Sequence, residues 1–329
     1  MLDAANELGF RPNQLARGLV TSRTSMVAAI VHDISDPYFA EVVRALGDVA
    51  RDRGYQLLAS SSDRDPEREL EWLQVLLSYR VDGVIFASSI MENGGYEAEL
   101  RRLVERFRAE GRSVVRFAPH LMDIPGAVVD QEEAAADMIR FLLGLGHRRV
   151  GLIAGPQGLR AATERSDGYR RALEDGGIGF DPDLVAQGAF TSASGAVAVN
   201  ELLQRAPDVT AVFSTNDVMA FGALRPLTAA GIRVPRDLSL AGFNDVKLCR
   251  YVSPSLTSVH VPIREQAERV FSLLLDGLEG HPQASEVLQT YVVERESTSR
   301  PRDREVLSPR ALARLRAATS DLDDPGGDD

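Results

Sequence analysis

The sequence predicts an α/β fold: two doubly wound parallel-sheet lobes joined by a multi-crossover hinge. Three observations predict it. Short β-branched runs alternate with amphipathic helical stretches from Met26 onward, the pattern of βαβ units. The strand runs are almost uninterruptedly apolar, as strands covered by helices on both faces must be. The alternation fills two blocks of similar length, 26–130 and 131–243.

The first block reads as strands MVAAIV (26–31), QLLASS (56–61), GVIFAS (83–88), SVVRFA (113–118) and GAVVD (126–130). Helices PYFAEVVRALGDVARDRG (37–54) and 66–80 separate the first three. The second block opens with the helix EEAAADMIRFLLGLG (132–146) and continues with strands RVGLIA (149–154), TAVFST (210–215) and LSLAGF (238–243). A helix at 262–280 and a strand within 287–297 remain, too little for a domain of their own. They are expected to return over the two sheets. The N-terminal lobe is then 26–129 with 261–290, and the C-terminal lobe 130–260 with 291–297. Crossings are expected near Val129-Asp130, Val259-Val261 and Leu288-Gln289. Residues 298–329 read as a disordered acidic tail with five Asp in the last nine positions, although Leu312, Leu315 and Leu322 permit a short helix.

Composition excludes several classes of function. The 329 residues carry 48 acidic and 37 basic side chains, a net charge of -11, which opposes a protein coated in nucleic acid. The single cysteine, Cys249, rules out an internal disulfide framework and any multi-cysteine metal site. No apolar run approaches the roughly 20 residues of a membrane span. The opening residues lack the basic-then-apolar order of a signal peptide, so the expected address is the cytoplasm, with no membrane partner. Against this acidic background, Leu8–Ser25 holds Arg11, Arg17 and Arg23 and no acid. There DAANELG reads as the closing turns of a helix, and NQLARGL (13–19) as a second helix too short to stand alone.

With these elements in place, the sequence resembles the lac repressor/galactose repressor family of bacterial transcription regulators, from Leu2 to about Ser297. The resemblance is carried by ELGFRPNQLARGL (7–19), DISDPYFAEV (33–42), DRDPERE (63–69), RVDGVI (80–85), LGHRRVGLIAGP (145–156), ERSDGYRRAL (164–173), STNDVMAFGAL (214–224), VPRDLSLAGFND (234–245) and SPSLTSVHVP (253–262), in this order. It implies that 1–25 is a remnant of a helix-turn-helix headpiece plus a hinge helix. Leu19 would be wedged into the minor groove of an operator, with Asn13, Gln14 and Arg17 near the backbone. A short basic helix with an apolar tip has the chemistry for this, since arginines neutralise phosphates while the wedge unstacks a base step. The base-reading helices of the family would precede residue 1, so the chain as written is expected to have little sequence specificity.

The resemblance also implies a small-molecule effector site beyond the carboxyl ends of the strands. Asp36, Tyr38 and Phe39 follow the first strand, Arg165 follows the strand at 149–154, and Asn216 starts a helix. Each has a structural alternative: an aromatic staple, a solvated arginine, an N-cap. Two positions depart from the family. Its usual Asn/Asp-Arg pair after the fourth strand is Ala118-Pro119, with Arg116 and His120 nearby, and its second-lobe aspartate is Asn244, followed by Asp245. A carbohydrate-like or anionic effector is expected. No cofactor or metal is expected, and no catalysis: His32, His120, His147, His260 and His281 are scattered, and GPQGLRAAT lacks a P-loop lysine. The rival reading is a stand-alone binding protein of the periplasmic kind. A homodimer is expected through 64–80, which carries Leu70, Trp72, Leu73, Val75, Leu76 and Leu77.

Overall fold

The computed structural model describes residues 23–89, 94–120, 122–301 and 306–320. These divide into two compact units. The first takes in the described residues through Ser35, Phe39–Val128 and Ile263–Glu286; the second takes in Asp36–Tyr38, Val129–Pro262 and the described residues from Val287 onward.

The first unit is built on a four-stranded parallel sheet, order β2-β1-β3-β4, from β1 (Met26–Val31), β2 (Gln56–Ser61), β3 (Gly83–Phe86) and β4 (Ser113–Arg116). The register pairs Met26 with Gln56 and Val27 with Gly83, so the apolar run of β1 lies in the middle of the sheet and is buried from Val27 on. Helices α1 (Pro37–Asp52), α2 (Pro66–Ser78) and α3 (Gly94–Ala109) connect the strands. Asp65 caps α2 by accepting from the Glu67 amide at 2.9 Å, with Pro66 in the first turn, where its missing N–H costs nothing. Leu73, Leu76, Leu100 and Phe107 of α2 and α3 pack on Ala28, Ile30, Val84 and Phe86.

Helix α8 (Ile263–Glu279) returns late in the chain to β3 and β4. A Cβ on Gly83 would lie 2.7 Å from Leu274, so glycine is what lets this helix settle on the sheet. The Gln266 amide nitrogen donates to the carbonyls of Phe117 (2.6 Å) and Ala127 (2.8 Å). The fourth strand stops at Arg116, two residues earlier than expected, where Pro119 is close and cannot donate to a ladder. At the start of β1, the buried Asp82 carboxylate accepts from the backbone amides of Thr24 and Ser25, both at 2.9 Å, and from the Thr24 hydroxyl at 3.1 Å. Ser25 takes a left-handed φ of 53° to make that grip.

The second unit holds a six-stranded sheet, order β12-β10-β9-β8-β6-β7. Its strands are β6 (Val150–Ala154), β7 (Val185–Gln187), β8 (Ala211–Ser214), β9 (Ser239–Asn244), β10 (Thr257–His260) and β12 (Tyr291–Val293); β12 pairs antiparallel to β10 and the rest are parallel. The expected strand in 287–297 is therefore two short ones, the other being β11 (Glu286–Leu288), which pairs with β5 (Ala127–Val129). Helices α4 (Gln131–Gly144), α5 (Arg160–Asp175), α6 (Ser192–Arg205) and α7 (Asp217–Ala230) make the connections. Asp130 caps α4, and Thr191 and Ser194 form a reciprocal capping box on α6. Helices α6 and α7 approach backbone to backbone: a Cβ on Gly195 would stand 2.1 Å from the Met219 carbonyl oxygen, and one on Gly222 1.8 Å from that of Ser192.

The tail departs from expectation. Rather than a solvated segment throughout, Pro309–Thr319 forms helix α9, capped by Ser308. Leu315 is wholly buried and Leu312 partly so against the core of α6 and α7, while Gln204 donates to the Leu312 carbonyl at 2.8 Å and accepts from Arg316 at 2.8 Å. A helix of this length is stabilised by that docking rather than by its own propensity. His147 bonds Thr210 and the Ser299 carbonyl, both at 2.9 Å, the structural role expected of it. Among the described residues no helix is long and apolar enough to cross a membrane.

Candidate functional site

In the second unit the parallel strands β6, β8, β9 and β10 all end at one edge of the sheet, where loops and helix N-termini gather polar side chains. Arg165, in the second turn of α5, points into this edge. Its Nε donates to the Gln131 side-chain oxygen at 2.8 Å, its Nη1 to the Thr215 carbonyl, and its Nη2 to Asn244 Oδ1 at 3.4 Å. The guanidinium lies 3.8 Å from the centre of the Phe243 ring and 6.0 Å from that of Phe190. It is 6% exposed, and burial lowers its pKa to about 10. Every bond it makes is to a neutral oxygen. A buried cation with no carboxylate bonded to it is the kind of group that structural packing avoids and binding sites retain.

The neighbours are arranged around it. Asn216 caps α7, its Oδ1 accepting from the Met219 amide at 2.9 Å and its amide nitrogen donating to the Phe190 carbonyl at 3.4 Å. Capping accounts for the residue type at this position. Asp217, wholly buried, accepts from the Ser258 hydroxyl (2.6 Å) and the Val246 amide (3.0 Å), and burial pushes its carboxyl up to about 7. Gly242 makes room for it, since a Cβ there would lie 2.2 Å from the carboxylate. Asn244 sits at φ 112°, Asp245 at 56° and Phe190 at 64°. Such conformations cost about 1–3 kcal/mol each and persist where the surroundings hold them, commonly at functional sites. Asp245, the carboxylate beside the family-position Asn244, is turned to Arg295 (2.6 Å) and to His260 Nδ1 (2.9 Å).

The remaining sequence candidates lie on other elements. Asp36 accepts from the Tyr38 amide at 2.8 Å, and burial raises the half-buried Tyr38 phenol to about 12. Phe39 stands edge-on to His32, their rings 6.0 Å apart. Burial lowers the His32 pKa to about 4, so that imidazole is neutral at physiological pH. Arg116 Nε donates to the Ile124 carbonyl at 2.7 Å. Asn13, Gln14, Arg17 and Leu19 lie outside the described residues. The structure thus brings Arg165, Asn216 and Asn244 to one strand edge and adds Gln131, Thr215, Phe190 and Phe243, which sequence reasoning missed. The one local signal for Phe190 was Gly155 after β6, where a Cβ would strike the Phe190 ring at 2.3 Å.

A cavity of about 950 Å³ opens at the opposite, amino end of the same sheet, between Arg149, Asp208, Arg236 and Pro301. Its Arg149 is already paired with Asp181 and Asp208, both at 3.0 Å. Among the described residues no group of three His, Cys, Asp or Glu side chains could hold a metal ion.

Residues 139–298 match the periplasmic binding protein-like domain family. The HTH-type transcriptional repressor CytR of Escherichia coli K12 is 33% identical over 277 residues, 84% of this chain and 80% of that one. The chain belongs to the LacI family of transcriptional regulators. Another relative, the HTH-type transcriptional regulator CelR of Thermobifida fusca, is 34% identical over 306 residues, 89% of this chain and 87% of its own. A LacI family regulator from Enterococcus faecium, solved with bound ribose, superposes with a TM-score of 0.75 at 25% identity, covering 84% of this chain and all of that one (100%). The LacI family fold is thus the one the alternating strands and helices foretold. The relatives are named as HTH-type transcriptional repressors and regulators, and one is solved as a CelR-cellobiose complex, which favours a regulator over the stand-alone binding protein.

Proposed function

We propose that the chain is a repressor whose second unit, Asp36 and Tyr38 included, together with Phe39 and Arg116, binds a small carbohydrate-like or anionic effector, and that this binding controls its affinity for an operator. The observation that carries the reading is Arg165, buried, ring-stacked and bonded only to neutral oxygens at the carboxyl edge of a parallel sheet. That edge is where open α/β sheets take ligands. In this reading the lobes are 26–129 with 261–290 and 130–260 with 291–297, and hinge motion at their crossings changes how two copies present their hinge helices to DNA. The protein works in the cytoplasm as a homodimer and carries out no catalysis. Support for the dimer comes from α2 and the residue that ends it: Leu73, Leu76 and Leu77 serve the helix's own core, whereas Trp72 (36%), Val75 (37%) and the C-cap Tyr79 (61%) stay exposed.

The test is operator binding by a chain with a complete headpiece ahead of residue 1, with and without effector. A coupling of ~1–3 kcal/mol is roughly a 5–150-fold change in operator affinity. Arg165→Ala is expected to abolish that change while leaving the dimer intact by light scattering. A full response from Arg165→Ala would place the effector elsewhere.

A further inference from the structure

The cavity at the amino end of the second unit's sheet plays no part in the function proposed above. At about 950 Å³ it stands near the top of the roughly 300–1,000 Å³ that small-molecule pockets span. The turns leading into β6, β8 and β9 line it together with the tail, through Pro301 and Val306–Ala311. Gly231, the left-handed cap that ends α7, borders it as well. Helix α7 therefore runs from the strand edge that holds Asn216 to this cavity at its other end.

The charge in the lining is unevenly spent. Asp208 has both oxygens on Arg149, at 3.0 and 3.1 Å, and a third Arg149 nitrogen reaches Asp181 at 3.0 Å. Asp237 has both oxygens on Arg233, at 2.7 and 2.9 Å. Burial holds His147 below its ordinary pKa, so it adds no charge at physiological pH. Arg148 and Arg236 remain: both line the cavity, and neither has a hydrogen bond or ion pair among the described residues. One solvated arginine is ordinary. Two on one cavity whose carboxylates are already matched leave a local positive charge in a chain of net charge -11. A guanidinium fork fits the oxygens of a phosphate or carboxylate. Between the charges the lining is apolar: Ile232 is buried, Pro235 and Leu307 are half-buried, and Val306 is 61% exposed. A ligand with an apolar body would cover that surface.

We propose that this cavity is a second binding site, separate from the strand edge of Arg165, and that it takes a small amphipathic anion. Arg148 and Arg236 receive a phosphate or carboxylate head, and the apolar body lies against Ile232, Pro235, Val306 and Leu307. The test is titration calorimetry and thermal shift on the full chain at constant ionic strength. The probes are adenosine monophosphate against adenosine, indoleacetate against tryptophol, and inorganic phosphate alone. At least one of the two organic anions is expected to bind about 10-fold or more tightly than its neutral parent, and more tightly than inorganic phosphate. The phosphate and carboxylate arms tell the two kinds of head apart.

The double variant Arg148→Gln/Arg236→Gln is expected to weaken that anion about 10-fold or more. Its unliganded melting temperature should match wild type, because neither side chain bonds anything among the described residues. Leu307→Ser is a second variant, expected to weaken the organic anion and leave inorganic phosphate unchanged. A neutral parent that binds as tightly as its anion, an anion indifferent to the double variant, or no binding by either organic anion would overturn the proposal. So would binding that is lost in Arg165→Ala and kept in the double variant, since the anion would then sit at the strand edge. Each of these results leaves the regulator reading standing, because operator coupling through Arg165 is measured separately.

Discussion

The two sheets are built alike, but their carboxyl edges are furnished differently. In the first unit His32 is held uncharged by burial, and Arg116 donates to the Ile124 carbonyl. Its left-handed residues in that region, Asp63 and Arg64, lie in the turn ahead of α2. In the second unit a cation stays buried, and the unusual backbone of Asn244 belongs to a residue only 6% exposed. The same strand-helix alternation thus yields one edge with a buried neutral imidazole and one with a buried cation, where stored electrostatic and conformational cost gathers. Where that cost is concentrated is where a ligand has most to gain.

The comparison can be broken most forcefully at the α6–α7 contact. Gly222→Val drives a branched side chain into the Ser192 carbonyl and is expected to cost about 3 kcal/mol, the upper range for overpacking. Urea denaturation with hydrogen exchange should show protection lost across 192–230 while β1–β4 amides keep theirs. Equal loss in both units would show that they do not fold independently.

A second experiment sharpens the contrast through pH. In the first unit burial raises Glu69 to about 7, only partly offset by the Tyr96 hydroxyl that donates to it. A folded value above the ordinary 4.5 means that its stabilising contribution is full below pH 4.5 and is lost as pH rises through about 7. His32, lowered to about 4 from 6.5, runs the other way, contributing above pH 6.5 and losing that contribution as pH falls through about 4. The difference in melting temperature between Glu69→Gln and wild type cancels the histidine. It is expected to grow between about pH 4.5 and 7 and then level off; a flat difference would place Glu69 in contact with water. The smallest effect belongs to the surface. Arg101→Ala removes the 2.9 Å pair with Glu97 on α3, both exposed, and should cost only about 0.3 kcal/mol, shrinking further in high salt.

Much of this was legible in the residues. MVAAIV and QLLASS mark β1 and β2 to the residue; the first is a central parallel strand, apolar and buried on both faces, whereas the second stands at the sheet edge and is largely exposed. The 309–319 helix was not, since Leu312 and Leu315 sit among arginines and their value appears only against α6 and α7. The site divides in the same way. Arg165, Asn216 and Asn244 stand in recognisable motifs, and Phe243 shares the motif of Asn244, whereas Gln131 and Phe190 join Arg165 only through folding. Nor could the sequence show that Asp245 would turn away to Arg295, a partner 50 positions on.

The Asp82 grip has a mechanical consequence. Its two carboxylate oxygens hold consecutive amides, those of Thr24 and Ser25, and Arg23 adds a bond of 2.6 Å to the Leu278 carbonyl. The chain is therefore moored to the sheet's interior strand before that strand begins. Any pull or twist on residues ahead of Arg23 travels a short, stiff load path into β1 and α8 rather than being absorbed by slack, and any shift of those elements moves the mooring point with them.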